Sequence, residues 1–60
     1  MIGTNNMKEY KIEVTSLHLR TYEEFYPLYT INARSFEDAC ELAKDLFKVQ
    51  YKDHHFISCN

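Results

Sequence analysis

Five side chains in this sequence could bind a metal or act as a nucleophile and its base: His18, His54, His55, Cys40 and Cys59. Zinc takes such ligands in closely spaced pairs, Cys-x2-Cys or His-x3-His. Neither spacing occurs here. His54 and His55 are neighbours in a segment that reads as a strand, where successive side chains point to opposite faces. They do not converge on one ion, so no metal site is expected. Cys40 falls on the apolar stripe of a helix and reads as a small buried hydrophobe. Cys59 is the penultimate residue, where chains fray. Pairing Cys59 with His18 across two strands would still need an oxyanion hole and a pocket, for which a two-layer chain of this size has little volume. The carboxylate pairs are no better placed. Glu37 and Asp38 suit the first turn of a helix. Glu23 and Glu24 are adjacent, and adjacent residues rarely converge on one proton. The expectation is a chain with no catalytic residues, no cofactor and no enzymatic activity.

One segment has the chemistry of recognition. Tyr22, Phe25, Tyr26 and Tyr29 lie within eight residues, interleaved with Glu23 and Glu24. Aromatic side chains give interfaces large rigid area at low entropic cost. Tyr22, Glu23, Glu24, Phe25 and Tyr26 are therefore the candidate partner-binding residues, with the two acids steering toward a basic surface. The competing reading is that Phe25 and Tyr29 close the core while the tyrosine hydroxyls face water. Stacking on nucleic acid needs nearby cations, and this segment has only Arg20.

These residues must be carried by a short run of elements. Residues 1–7 read as a polar tail, and Met7 is a second possible start. Residues 8–60 form one domain. Residues 8–20 alternate at period two, with Tyr10, Ile12 and Val14 against Lys11, Glu13 and Thr15. Leu17 and Leu19 then fall on the opposite parity. Either a bulge near Thr15–Ser16 restores the face, or the far half of the strand turns its other side to something apolar. The connection lies in residues 21–26. It has no Asn-Gly or Asp-Gly and is expected to exceed two residues. Pro27 opens a second strand through Ala33, with Tyr29, Ile31 and Ala33 on one side. Ser35, with Asp38 three residues on, starts a helix. Apolar residues at 36, 39, 40, 43, 46 and 47 follow the helical period. Leu42 and Val49 widen that stripe on one flank. The helix ends near Tyr51 or Lys52. Residues 54–59 read as a third strand with apolar residues of both parities, so its inward face stays open.

The fold class expected is α+β, a single two-layer β-β-α-β domain. Its three-stranded antiparallel sheet has the order 2-1-3, with one helix on one face. The segment from Tyr29 to Ala43 resembles a strand-to-helix junction common in small α+β proteins, where a Ser-initiated helix follows a strand ending in Ala. In size and style the chain is similar to small phage-encoded or mobile-element proteins that act by binding a host protein.

Composition bounds the rest. The chain has 60 residues, is 45% hydrophobic and carries a net charge of −2. The apolar content and low net charge argue against disorder. The charge balance also gives no footprint for nucleic acid. No apolar run reaches the 18 or so residues of a membrane span. The first six residues lack the pattern of a signal peptide. Two cysteines make no disulfide framework, which points to reduced thiols and a cytoplasmic chain. So small a chain struggles to bury enough surface alone, and one helix leaves one sheet face uncovered. Self-association is therefore expected, as a homodimer, through Leu17, Leu19, Leu42 and Val49. The function expected is a small non-catalytic protein-binding module, of the kind a phage or mobile element uses to inhibit a host or defence protein. The alternative is a small-ligand or nucleotide binder with its site at a dimer seam.

Overall fold

A computed structural model describes residues 7–60. The tail expected over residues 1–6 lies outside them. The elements run β1 (Lys8–His18), β2 (Glu24–Phe25), β3 (Leu28–Ala33), α1 (Phe36–Gln50) and β4 (His54–Cys59). This is the small α+β domain expected: an antiparallel sheet with one helix against it.

β1 is the central strand. β3 pairs antiparallel with its first half, from Lys8↔Ala33 to Glu13↔Leu28. β2 pairs with its second half at Ser16↔Phe25 and Leu17↔Glu24. The two pieces keep one register, so they form one edge broken at Tyr26–Pro27. The break has a chemical cause. Val14 donates to the Pro27 carbonyl (3.0 Å), but proline has no N–H to return the bond. β4 pairs with β1 from Val14↔Cys59 to His18↔His54. The spatial order is the expected 2-1-3, but the sheet has four strands and not three, because the short β2 forms inside the connection expected over residues 21–26.

The parity question in β1 is settled by burial. Ile12, Val14 and Ser16 are all fully buried, so the first strand keeps its face and Leu17 looks away from the helix. A register shift does occur at Thr15/Ser16. Its extra residue is on β4, where Ile57 lies between Phe56, opposite Ser16, and Ser58, opposite Thr15. This bulge explains why β4 carries apolar residues of both parities. His54, Phe56 and Cys59 turn toward the helix layer, and His55 and Ile57 turn away.

The helix starts at Ser35, whose Oγ accepts the Asp38 N–H at 3.1 Å. Tyr51 ends it, with its N–H donating to the Phe47 carbonyl at 2.8 Å. Ala39, Ala43 and Phe47 are its fully buried residues. Two alanines let the helix lie close on Ile12, Val14, Ile31 and Ala33. Phe47 then fills the wider end, meeting Tyr51 (5.3 Å between centroids), His54 (6.1 Å) and Phe56 (6.2 Å). Ser16 sits beneath these rings, between Phe25 and Phe56 on its two neighbouring strands. Its buried hydroxyl donates to the Phe25 carbonyl at 2.8 Å.

The expectation of reduced cysteines is corrected. Cys40 and Cys59 are joined by a disulfide, their Cα atoms 6.1 Å apart. Cys40 lies on the helix flank toward β4, and the bulge at Ile57 turns Cys59 to meet it. The end of β4 is also held by paired backbone bonds between Glu13 and Asn60 (2.9 and 3.0 Å). Cys59 is thus fixed in the sheet. The bond supplies a staple of the kind small domains use in place of a larger core.

Candidate functional site

The hairpin connection runs from Leu19 to Glu23, beginning two residues and ending three residues earlier than the spacing suggested. Two backbone bonds close it at its base: His18 N–H to the Glu23 carbonyl and Tyr22 N–H to the His18 carbonyl, both 2.9 Å. The His18 ring completes the turn. Its Nδ1 accepts the amides of Arg20 (3.1 Å) and Thr21 (3.3 Å). Both bonds use the Nδ1 lone pair. Tyr22 stands at the apex with φ 61°, a left-handed conformation that a bulky residue adopts at a cost.

The five candidate recognition residues divide. Tyr22 is 71% exposed, and Glu23 and Glu24 are exposed beside it. Tyr26 is half exposed, and its hydroxyl donates to Glu24 Oε1. That bond raises the Tyr26 phenol above its ordinary value, with burial and the charges of Glu24 and Glu13 adding. Phe25 goes the other way. Its ring packs 5.0 Å from both Tyr51 and His54, closing the core as the competing reading of these aromatics requires. Tyr29 also serves the core side. Its hydroxyl donates to Gln50 Oε1 at 2.9 Å, and burial first, then Tyr51, raises its phenol.

The exposed part of the hairpin runs onto the sheet face opposite the helix. On that face Leu17, Tyr26, Leu28 and Ile57 surround Thr15, as the strand registers dictate. Leu28 is 72% exposed and Ile57 51%. Leu17 is half-buried, and Leu19 is exposed just past the strand. No described element lies over this face. The residues expected to mediate self-association therefore occupy two separate surfaces. Leu17 and Leu19 belong to the helix-free side. Leu42 and Val49 lie on the helix flank toward β3, both exposed.

The chemistry-bearing residues are also apart. Cys59 is bonded to Cys40, so neither offers a thiolate. His18 pairs with His54 across the strands, their rings 4.7 Å apart and nearly perpendicular. His54 is packed among Phe25, Phe47 and Tyr51 with its Nδ1 buried and without a hydrogen-bond partner. His55 faces away. No group of three or more His, Cys, Asp or Glu able to hold a metal occurs among the described residues. No helix among them is long and apolar enough to cross a membrane.

Two shallow grooves flank the helix. One, of about 400 Å³, lies toward β3 between Asn32–Arg34 and the acids Asp38, Glu41 and Asp45. The other, of about 330 Å³, lies toward β4 between Lys44 and Lys48 and the residues His54, His55 and Phe56. Sequence reasoning missed Ser16 and the His18 turn. Ser16 was accessible, since it continues the parity of Ile12 and Val14. The contacts of His18 depend on the folded turn and leave no mark in spacing.

Compared with protein-family models, with curated proteins and with solved structures, the chain matches none.

Proposed function

We propose that this chain is a small non-catalytic protein-binding module that self-associates, and that it meets its partner through the helix-free sheet face and the adjoining hairpin end. The observation that carries this is the cluster of Leu17, Tyr26, Leu28 and Ile57 on a face over which no described element lies. Soluble monomers rarely expose a contiguous apolar patch unless it binds something. Tyr22 extends the patch with a rigid aromatic side chain. Glu23 and Glu24 at its rim favour a partner with a basic surface. Phe25, partly buried beneath, acts as the anchor that positions the hairpin and is not a contact residue. Inhibition of a host or defence enzyme by a phage- or mobile-element-encoded protein needs only such binding, and it is the use we favour.

The cytoplasmic expectation rested on reduced thiols, and the Cys40–Cys59 bond favours an oxidising setting instead.

A second reading has one observation in its favour. The groove toward β4 sets the Phe56 ring beside Lys44 and Lys48, a pairing of aromatic surface and cations that suits a nucleotide at a dimer seam. Calorimetric titration with nucleoside triphosphates tests it, and absence of saturable heat removes it.

The binding reading is tested by comparing two variants, Leu28→Asp with Ile57→Asp and Glu23→Lys with Glu24→Lys. Both should fold, since all four side chains are largely in water. The first should abolish partner capture. The second should slow association most at low salt.

A further inference from the structure

The two flanks of the helix differ in both shape and charge. Toward β3, Leu42, Leu46 and Val49 form an exposed ridge at i, i+4 and i+7 spacing. Asp38, Glu41 and Asp45 border it around Leu42. Toward β4, Lys44 and Lys48 border a groove of about 330 Å³. Phe56 lines this groove, with Lys44 Nζ 5.2 Å from the centre of its ring. His54 completes the wall, with β4 at His55 forming its outer edge. Two residues run against this division, Glu37 on the lysine side and Arg34 beside the acids. Both lie at the N-terminal end of the helix, away from Leu46, Val49 and Lys48.

We infer that the occupant of the groove is the ridge of a second copy of this chain, so that copies join head to tail with acids against lysines. The inference rests on the self-association reading above and specifies its surface and symmetry. Charge decides the geometry. A twofold contact of ridge on ridge sets Glu41 and Asp45 against the same acids of the other copy. A twofold contact of groove on groove sets lysine against lysine. Only ridge into groove pairs opposite charges. It also sets three exposed aliphatic side chains against Phe56, the mode by which amphipathic helices commonly bind grooves. Such a contact leaves a free ridge at one end and a free groove at the other. Association therefore continues past two copies unless a ring closes.

Sedimentation velocity on the full oxidised chain, across micromolar to millimolar concentration at low salt, tests this with two variants. Lys44→Glu with Lys48→Glu makes both flanks acidic. Glu41→Lys with Asp45→Lys makes both basic. Circular dichroism checks that each folds. The wild type should form species larger than a dimer, and these should recede as salt is raised. Each variant alone should associate about tenfold more weakly or less, and an equimolar mixture should associate as the wild type does. Wild-type association that ignores salt, variants that associate unchanged, or a mixture that fails to recover each overturn the head-to-tail contact while leaving self-association standing. A wild type that stays monomeric throughout overturns both.

Discussion

Cys40, in the second turn of the helix, is covalently tied to Cys59, at the end of the last strand, across a Cα–Cα distance of 6.1 Å. The bond joins the two layers of the domain on the side where β4 has its bulge. It closes a loop of about 20 residues, for which the unfolded-chain account gives about 3 kcal/mol. Reduction with a dithiol should lower the unfolding free energy by that amount, read as a shift in urea midpoint. Cys40→Ala with Cys59→Ala should match the reduced wild type. Equal midpoints with and without reductant would show that the bond does not form in solution.

Phe47 is the largest fully buried side chain, and it touches three other rings. Phe47→Ala should cost about 3–5 kcal/mol, since the surrounding rings cannot all collapse into the space. Ser35→Ala should cost about 1 kcal/mol by leaving the Asp38 amide without its cap. Urea denaturation gives both values. A Phe47→Ala protein with wild-type stability would place the core elsewhere.

Tyr22 holds a left-handed backbone conformation without being glycine. Tyr22→Gly should therefore keep or raise stability, by up to about 1 kcal/mol. Tyr22→Val should lower it by about 1–2 kcal/mol, because a β-branched residue tolerates this region least. Greater loss from glycine than from valine contradicts the turn described.

Tyr29 connects stability to alkaline pH. Its phenol is raised in the folded state, by burial first and by Tyr51 second. The folded protein therefore holds this proton more tightly than the unfolded chain. The stability contribution is complete below the unfolded phenol's pKa and is lost as pH rises through the folded one. Ionisation also removes the donor of the bond to Gln50. Thermal melts across the alkaline range should show this decline, and Tyr29→Phe should flatten it. An equal decline in the variant would assign the effect to other groups.

The elements were legible where local chemistry and burial agree. Ser35 caps the helix because its hydroxyl is placed for the Asp38 amide, and that spacing is written in the chain. Ile12 and Val14, or Ile31 and Ala33, alternate because one sheet face meets the helix. The bulge was legible only as a conflict of parity. Its location on β4 at Ile57, and not on β1, depends on how Phe56 and Cys59 pack, which is a tertiary matter. The disulfide was hidden for the same reason, since Cys40 and Cys59 are 19 residues apart in sequence and no short motif links them. Of the candidate site, Tyr22, Glu23, Glu24 and Tyr26 are exposed along the hairpin, while Phe25 is turned toward the core. That difference was not legible, because period two within a five-residue stretch does not say which parity faces in. The clustering of Leu17, Leu28 and Ile57 required the pairing of three strands.

The most direct measurement of the central claim is partner capture from a native lysate by four immobilised proteins, with retained proteins identified by mass spectrometry. The four are the wild type, the Leu28→Asp, Ile57→Asp variant, the Glu23→Lys, Glu24→Lys variant and the Leu42→Asp, Val49→Asp variant. A protein with a basic surface should be retained by the wild type and by the helix variant. The sheet-face variant should lose it, and the hairpin variant should hold it more weakly. Retention by the sheet-face variant at the wild-type level, with loss in the helix variant, would contradict the assignment and move the binding surface to the helix flank.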